Sequence, residues 1–476
     1  MGRRPSRRDF LKAAIAVPGL VAAACGDQSA AGPDADLGPD GATATDAFAP
    51  DAAAPDAAPV IPPEETPESA DFPLGVASGD ARDGSIVLWC RPTGTAALAA
   101  TVWRMDGDTY DLELGSFVAA PDEAGFVHLE VAGLEAGARY RYAFFELDGD
   151  QRVARSGIGR FRAPIADASM ESLIIGATSC TDRSRPFDPL ARAAERTDLD
   201  LFIFGGDNAY CDGAEVLEDY RGLYAEHFGK PEHVALRGAT SLLASWDDHE
   251  VDNNWDPEQI DPVKLADATR AFFEHLPLRR ITDAPDRIWR SVRWGLTAEI
   301  FVLDCRGERL PSTRTGDNAT YISRAQMDWL KLGLATSPAV FKLIVNSVPI
   351  TDMPLVWDVA PQDRWEGYAA ARTEILQHID GQQIGGVVWI GGDFHLGFVS
   401  RVGTGDDPGA GQMEIAVGPG AQTANPLVLT LTEPQFDFAT GINNVTTFHL
   451  DPGLRRIRVV FTDGEGQDIY DNSYDL

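Results

Sequence analysis

The chain has 476 residues, 44% of them hydrophobic, with 73 acidic against 40 basic side chains and a formal net charge of -33. That balance excludes a nucleic-acid partner, because phosphate backbones are bound by an excess of Lys and Arg. Five cysteines in a chain of this length are too sparse for a disulfide scaffold, and the length and apolar content suit two cored domains.

Residues 1–25 have the layout of a twin-arginine export signal. Ser6-Arg7-Arg8-Asp9-Phe10-Leu11-Lys12 is followed by an apolar stretch from Ala13 to Ala24 that is too short and too Ala-rich for a stable membrane span. Ala22-Ala23-Ala24-Cys25 allows either lipidation of Cys25 or an ordinary peptidase cut, and the tether-like segment after Cys25 favours lipidation. Residues 26–70 are almost entirely Ala, Pro, Asp, Gly, Thr and Glu without Lys or Arg, which predicts a disordered, extended tether. The expected location is periplasmic or anchored at a membrane by that lipid, with no other membrane contact. Twin-arginine export carries folded proteins, so the thiols of Cys90, Cys180, Cys211 and Cys305 can persist, and at least one is a candidate ligand.

Residues 71–164 read as all-β. Ser85 to Cys90, Leu98 to Arg104, Phe126 to Val131 and Arg139 to Phe145 have strand length and are separated by Gly, Asp and Pro. Tyr140, Tyr142 and Phe144 fall on one face of their strand. This spacing predicts an immunoglobulin- or fibronectin-like β-sandwich with no catalytic cluster.

From 165 to 476 the pattern is α/β. Strands at Leu173–Thr178, Leu199–Phe204, Leu242–Ser245, Ile300–Leu303, Phe341–Val348 and Val387–Ile390 alternate with helices at Pro186–Arg196, Glu218–Phe228, Val263–Leu276 and Ser323–Leu334. Met413–Val417, Val445–Leu450 and Arg456–Thr462 add late strands, expected in a second sheet. The predicted architecture is a four-layer α/β/β/α domain.

Three motifs follow apolar strands: Gly205-Gly206-Asp207-Asn208-Ala209-Tyr210, Trp246-Asp247-Asp248-His249-Glu250 and Gly391-Gly392-Asp393-Phe394-His395. Open α/β sheets build their sites at such carboxyl edges. The glycines before Asp207 let the backbone turn, so its carboxylate is a candidate bridge between two cations. A Cys180 thiolate and a Tyr210 phenolate would favour a high-charge metal such as ferric iron. Alone, Cys180 reads as a small buried hydrophobe and Tyr210 as packing. Asp393 and His395 supply an oxygen and a nitrogen. Asp248, Asn253 and Asn254 offer the remaining oxygens, against the alternative of a charged surface loop, and His249 is placed to protonate a leaving oxygen or stabilise a transferring phosphoryl group.

These blocks, together with Phe72 to Asp80, Ile86-Val87-Leu88-Trp89, Ser179-Cys180 and Leu303-Asp304-Cys305-Arg306, resemble the PhoD-type alkaline phosphatases of the calcineurin-like metallophosphoesterase superfamily. The resemblance implies Fe3+ held by Cys180, Asp207, Tyr210 and His395, and Ca2+ held by Asp207, Asp393 and an Asn of the Asn253-Asn254 pair. Spacing favours Asn254, with Asp248 as an alternative ligand. It further implies hydrolysis of small-molecule phosphate esters by in-line attack of a metal-bound hydroxide, with His249 and Asp207 as catalytic residues. Phosphodiesterase or phospholipase-type specificity is the nearest alternative, and an inactive surface binding protein is a more distant one. Cys211-Asp212 departs from the pattern, and Cys305 is expected to be packing. No long terminal helix is expected over the site, which suggests a more open entrance. Arg183, Arg185 and Arg306 lie near the motifs as unranked phosphate contacts.

Overall fold

The computed structural model describes residues 60–476 except 358 and 359. The expected export signal and the expected tether up to residue 59 lie outside the described residues. The last stretch of that tether, 60–70, is structured, which corrects the linker boundary. It forms a 3-10 turn at Pro63–Glu65, and its backbone exchanges hydrogen bonds with Arg155. Glu64 accepts from Tyr110 at 2.6 Å and Glu68 pairs with Arg155 at 2.9 Å, so the acids of this basic-free segment find their counter-charges on the neighbouring sheet.

Two large sheets organise the remainder. The first has nine strands in the order Asp468–Asp475, Arg456–Asp463, Asn444–Asp451, Leu173–Thr178, Leu201–Gly205, Ser241–Ser245, Val76–Arg82, Ser85–Cys90 and Val127–Ala132. The second has seven: Arg290–Trp294, Ala298–Val302, Phe341–Ser347, Val387–Gly391, Met413–Ala416, Gly397–Arg401 and Phe436–Thr440. Alternating side chains of both sheets, among them Ile175, Ile203 and Leu243 from the first and Ile300, Val345 and Ile390 from the second, share one apolar core. Period-two geometry sends the neighbouring residues outward. Phe202, Phe204 and Leu242 meet the helices Asp188–Glu195, Leu217–Phe228, Pro231–Ala239 and Pro262–His275. Phe301, Ile344 and Trp389 meet Arg324–Thr336 and Ala369–Gly381. The result is the α/β/β/α layering that strand and helix alternation suggested. None of the described helices is long and apolar enough to cross a membrane.

Two placements differ from expectation. Of the late strands, Met413–Ala416 joins the second sheet, but Asn444–Asp451 and Arg456–Asp463 extend the first, through the antiparallel register Thr446↔Ala177. Residues 71–164 do not stand apart either. Val76–Arg82 pairs in parallel with Ser241–Ser245 (Ser78↔Ser241), so three of the strands before residue 164 continue the first sheet. The others, Leu98–Asp106, Thr109–Ala119, Arg139–Asp148, Gln151–Arg155 and Gly159–Arg162, make a five-stranded sheet whose Val102, Tyr142 and Phe144 pack into the common core. Residues 60–476 fall within one compact unit.

Candidate metal centre

The three motifs meet where the strands of both sheets end. Leaving Leu201–Gly205, the chain turns at Gly206, φ +109°, where an added Cβ would lie 2.8 Å from Cβ of Asp247. Asp207 follows at φ 54°, and Cys180 (56°), Asn254 (52°), Asp393 (59°) and His395 (54°) are left-handed as well. Such backbone costs a non-glycine residue roughly 1–2 kcal/mol, so five at one centre require strong local hydrogen bonding to hold them.

Much of that bonding comes from Glu250. Its buried carboxylate accepts N–H groups from Asp207 (3.2 Å), Asn208 (2.6 Å) and Asp247 (2.9 Å), tying two strand-end loops together. His227 Nε2 accepts the Tyr210 N–H at 2.9 Å and fixes the next turn.

The expected ligands converge. Ligand atoms of Cys180, Asp207 and His395 lie within 4.8 Å of one another, and so do those of Asp207, Asp248 and His249 and those of Asp247, Asp248 and Asp393. Asp207 belongs to the first two groups and Asp248 to the last two, so the clusters form a chain with Asp207 at a junction. Tyr210 Oη lies 3.4 Å from Asp207 Oδ2 and 3.5 Å from His395 Nε2, and accepts from Gln422 Nε2 at 3.0 Å. Asn254 donates its N–H to Asp248 Oδ2 at 2.6 Å, and its residue lines the same cavity of about 260 Å³ as Asp248, His249, Asp393 and His395.

Whether these residues suit cations is answered by their electrostatics. Asp248 Oδ1 is buried and has no hydrogen-bond partner, an orphan lone pair of the kind a cation satisfies. Burial, and then the Asp207 carboxylate, push the Cys180 thiol and the Tyr210 phenol well up. Burial likewise raises the Asp207 carboxyl against the pull of His249, and raises Asp393 with the help of Asp247. Burial thus disfavours the anionic form of all four donors, and a bound cation would favour it by displacing their protons. His395 is lowered to about 4 by burial and then by His249, so its ring is neutral and fit to coordinate. Burial opposes ionisation of Asp248, but Arg306 and His249 bring it to about 2. Burial also works against protonated His249, yet Asp207, Asp212 and Asp248 raise it to about 10.

Arg306 resolves as a fixed internal counter-charge. It is fully buried, bidentate to Asp247 at 2.7 and 2.9 Å, and 3.1 Å from Asp393 Oδ1. Arg183 is used by the Tyr210 carbonyl and Glu226, and Arg185 bonds Thr423. Cys211 and Cys305 are buried in the two outer cores. Sequence reasoning assigned no role to Asp212, whose carboxylate holds His249 Nδ1 at 2.8 Å, or to Asp247 and Glu250. The run of acids after an apolar strand was the available signal. Gln422 offered none.

A two-sheet core, helices on both outer faces and ligand-type side chains at the shared strand ends define an α/β fold with a candidate metal centre. A solved structure of PhoD superposes with a TM-score of 0.71 at 22% identity, covering 86% of this chain and 89% of that one. Purple acid phosphatase PPD1 from yellow lupin seeds superposes at 0.59 and 11% identity, over 84% and 73%. Residues 175–446 match the PhoD-like phosphatase family and residues 56–164 match its N-terminal domain. The chain belongs to the PhoD-like phosphatase family. Alkaline phosphatase D of Bacillus subtilis (strain 168) is 28% identical over 389 residues, 70% of this chain and 66% of that relative, so this chain spans just under two thirds of the relative's length.

Proposed function

We propose that this chain is an extracytoplasmic, metal-dependent phosphoric ester hydrolase. The observation that carries the reading is Asp207, one carboxylate shared between a Cys180/His395 group and an Asp248/His249 group. When bound, Fe3+ and Ca2+ would supply positive charge to the phosphate oxygens and acidify water. Cys180, Asp207, Tyr210 and His395 would hold the first ion, and Asp207, Asn254 and Asp393, with Asp248 as the alternative, the second. Both identities come from the family resemblance.

In the net reaction, water oxygen forms a new bond to phosphorus, the ester P–O bond breaks and the departing alcohol oxygen takes a proton. Asp212 engages Nδ1 of His249 and leaves Nε2 for that proton. The Tyr210 ring stacks on His249 at 4.0 Å between centroids and limits its rotation. Arg306 balances the acidic cluster from beneath without reaching solvent. A cavity of about 260 Å³ suits a small phosphate ester. The Arg7-Arg8 pair and Cys25 support export and lipid tethering.

The test is metal analysis of purified protein paired with assays on an aryl phosphate and its diester, for wild type and Asp207→Asn. The expected result is loss of metal and of turnover in a folded variant. Undiminished turnover in Asp207→Asn overturns the shared-carboxylate site. Arg7→Lys/Arg8→Lys should hold the protein in the cytoplasm, and normal export of that variant overturns the twin-arginine route.

A further inference from the structure

The cavity at the metal centre has lining of two kinds. Carboxylates, imidazoles, amides and the Arg364 guanidinium make up the polar part, and Trp357, Phe394 and Leu427 supply an apolar part. Phe394 lies between Asp393 and His395, so the apolar surface begins immediately beside the candidate ligands. Its ring stacks on Trp357 with centroids 5.1 Å apart and planes 25° off parallel. Trp357 Nε1 donates to Thr430 Oγ1 at 3.0 Å, which ties the 3-10 turn Leu355–Trp357 to the 3-10 turn Pro426–Thr430.

Those two turns also carry large apolar side chains into solvent. Leu355 is 91% exposed, Leu429 82% and Val356 48%. A single exposed leucine is ordinary, but here the segments that furnish the apolar lining are the same ones that display apolar side chains outside it. Leu427 and Leu429 are two residues apart on one turn, and Leu355 and Trp357 two apart on the other.

We propose that this apolar shelf and lip select phosphate esters whose alcohol portion is itself apolar. An alkyl or aryl group lies on Trp357, Phe394 and Leu427 while the phosphoryl end faces the carboxylates and imidazoles, and a longer chain continues over Leu355 and Leu429. The proposal rests on the phosphoric ester hydrolase reading above. Its physical basis is the free energy of removing apolar surface from water, which for a fully covered methylene is about fourfold in affinity and for a half-covered one about twofold.

The experiment measures kcat/KM by phosphate release for methyl, butyl and octyl phosphate with the metal-loaded full chain. The value should rise about two- to fourfold per methylene up to the length of the lip. Leu355→Ser/Leu429→Ser, both at the surface, should reduce the octyl-to-methyl ratio by about tenfold. A flat chain-length profile in the wild type, or an unchanged ratio in the double variant, overturns the shelf while measured turnover leaves the hydrolase reading intact. Phosphate release from none of the esters overturns both. Phosphatidic acid in phosphatidylcholine vesicles separates the sources of the alcohol. Faster turnover there than of soluble octyl phosphate assigns a lipid ester, and the reverse assigns a free one; either order, with the chain-length rise, supports the shelf.

Discussion

Glu250 holds Asp207 by its backbone: Oε2 accepts the Asp207 N–H at 3.2 Å while the same carboxylate takes the amides of Asn208 and Asp247. The side chain that two cations would share is thus aimed by a residue that coordinates nothing itself. Glu250→Ala leaves three buried N–H groups without partners, each costing about 1–3 kcal/mol. Thermal unfolding should fall sharply and metal content with it. Glu250→Gln, which keeps one acceptor oxygen, should rank between wild type and Ala on both measures.

His249 owes its high pKa, about 10, to Asp207, Asp212 and Asp248 acting against burial. A proton donor works only while protonated, so the rate declines as pH rises through its pKa. Removing one carboxylate lowers that pKa. Asp212→Asn should therefore move the alkaline limb of the kcat profile to lower pH. An unmoved limb would take the proton-donor role from His249.

Removal of metal should destabilise the protein. Asp207, Asp247, Asp248 and Asp393 are crowded around strand ends with Arg306 and His249 as the adjacent cationic partners. Chelation should lower the unfolding temperature, and readdition should restore it, by the ordinary linkage of binding to the native state.

Acid should destabilise the protein through buried histidines. Burial brings His227 from 6.5 down to about 4, and drives His233 and His275 well below 6.5. Each has a folded pKa beneath its unfolded one, so its contribution is fully present above about pH 6.5 and is lost as pH falls towards the folded value. For His227 the loss reaches about 3 kcal/mol near pH 4. Both ring nitrogens of His233 lack hydrogen-bond partners, and its ring packs against Phe187, Phe204 and Phe228. His233→Leu should therefore unfold at a higher temperature than wild type, with the difference widening between pH 7 and pH 5.

Much of the centre was legible because each ligand motif directly follows an apolar strand, and residues just past strand ends sit where sheets of this kind build their sites, although the motifs come from the ends of two facing sheets rather than one. Cys180, Asp207, Tyr210, Asp248, Asp393 and His395 were reachable on that rule. Arg306 was not, since what sequesters it are Asp247, Asp363 and Asp393, which lie 59, 57 and 87 residues away. Sheet membership of Asn444–Asp451 escaped for the same reason: it depends on long-range pairing with Leu173–Thr178, and nothing local distinguishes the two sheets. Pro231–Ala239 was missed as a helix of nine residues whose covered face includes His233 and Arg237, polar letters that hide its amphipathicity.

The parallel ladder between Val76–Arg82 and Ser241–Ser245 makes the amino-terminal third a structural dependency of the chemistry. Ser241–Ser245 feeds straight into Asp247, Asp248 and His249. A truncation at residue 164 would strip that strand of one neighbour and offer a raw, adhesive border to other molecules. The two family segments are in this sense not exchangeable parts, and chimeras that graft a foreign front end should forfeit the fold before they forfeit the reaction.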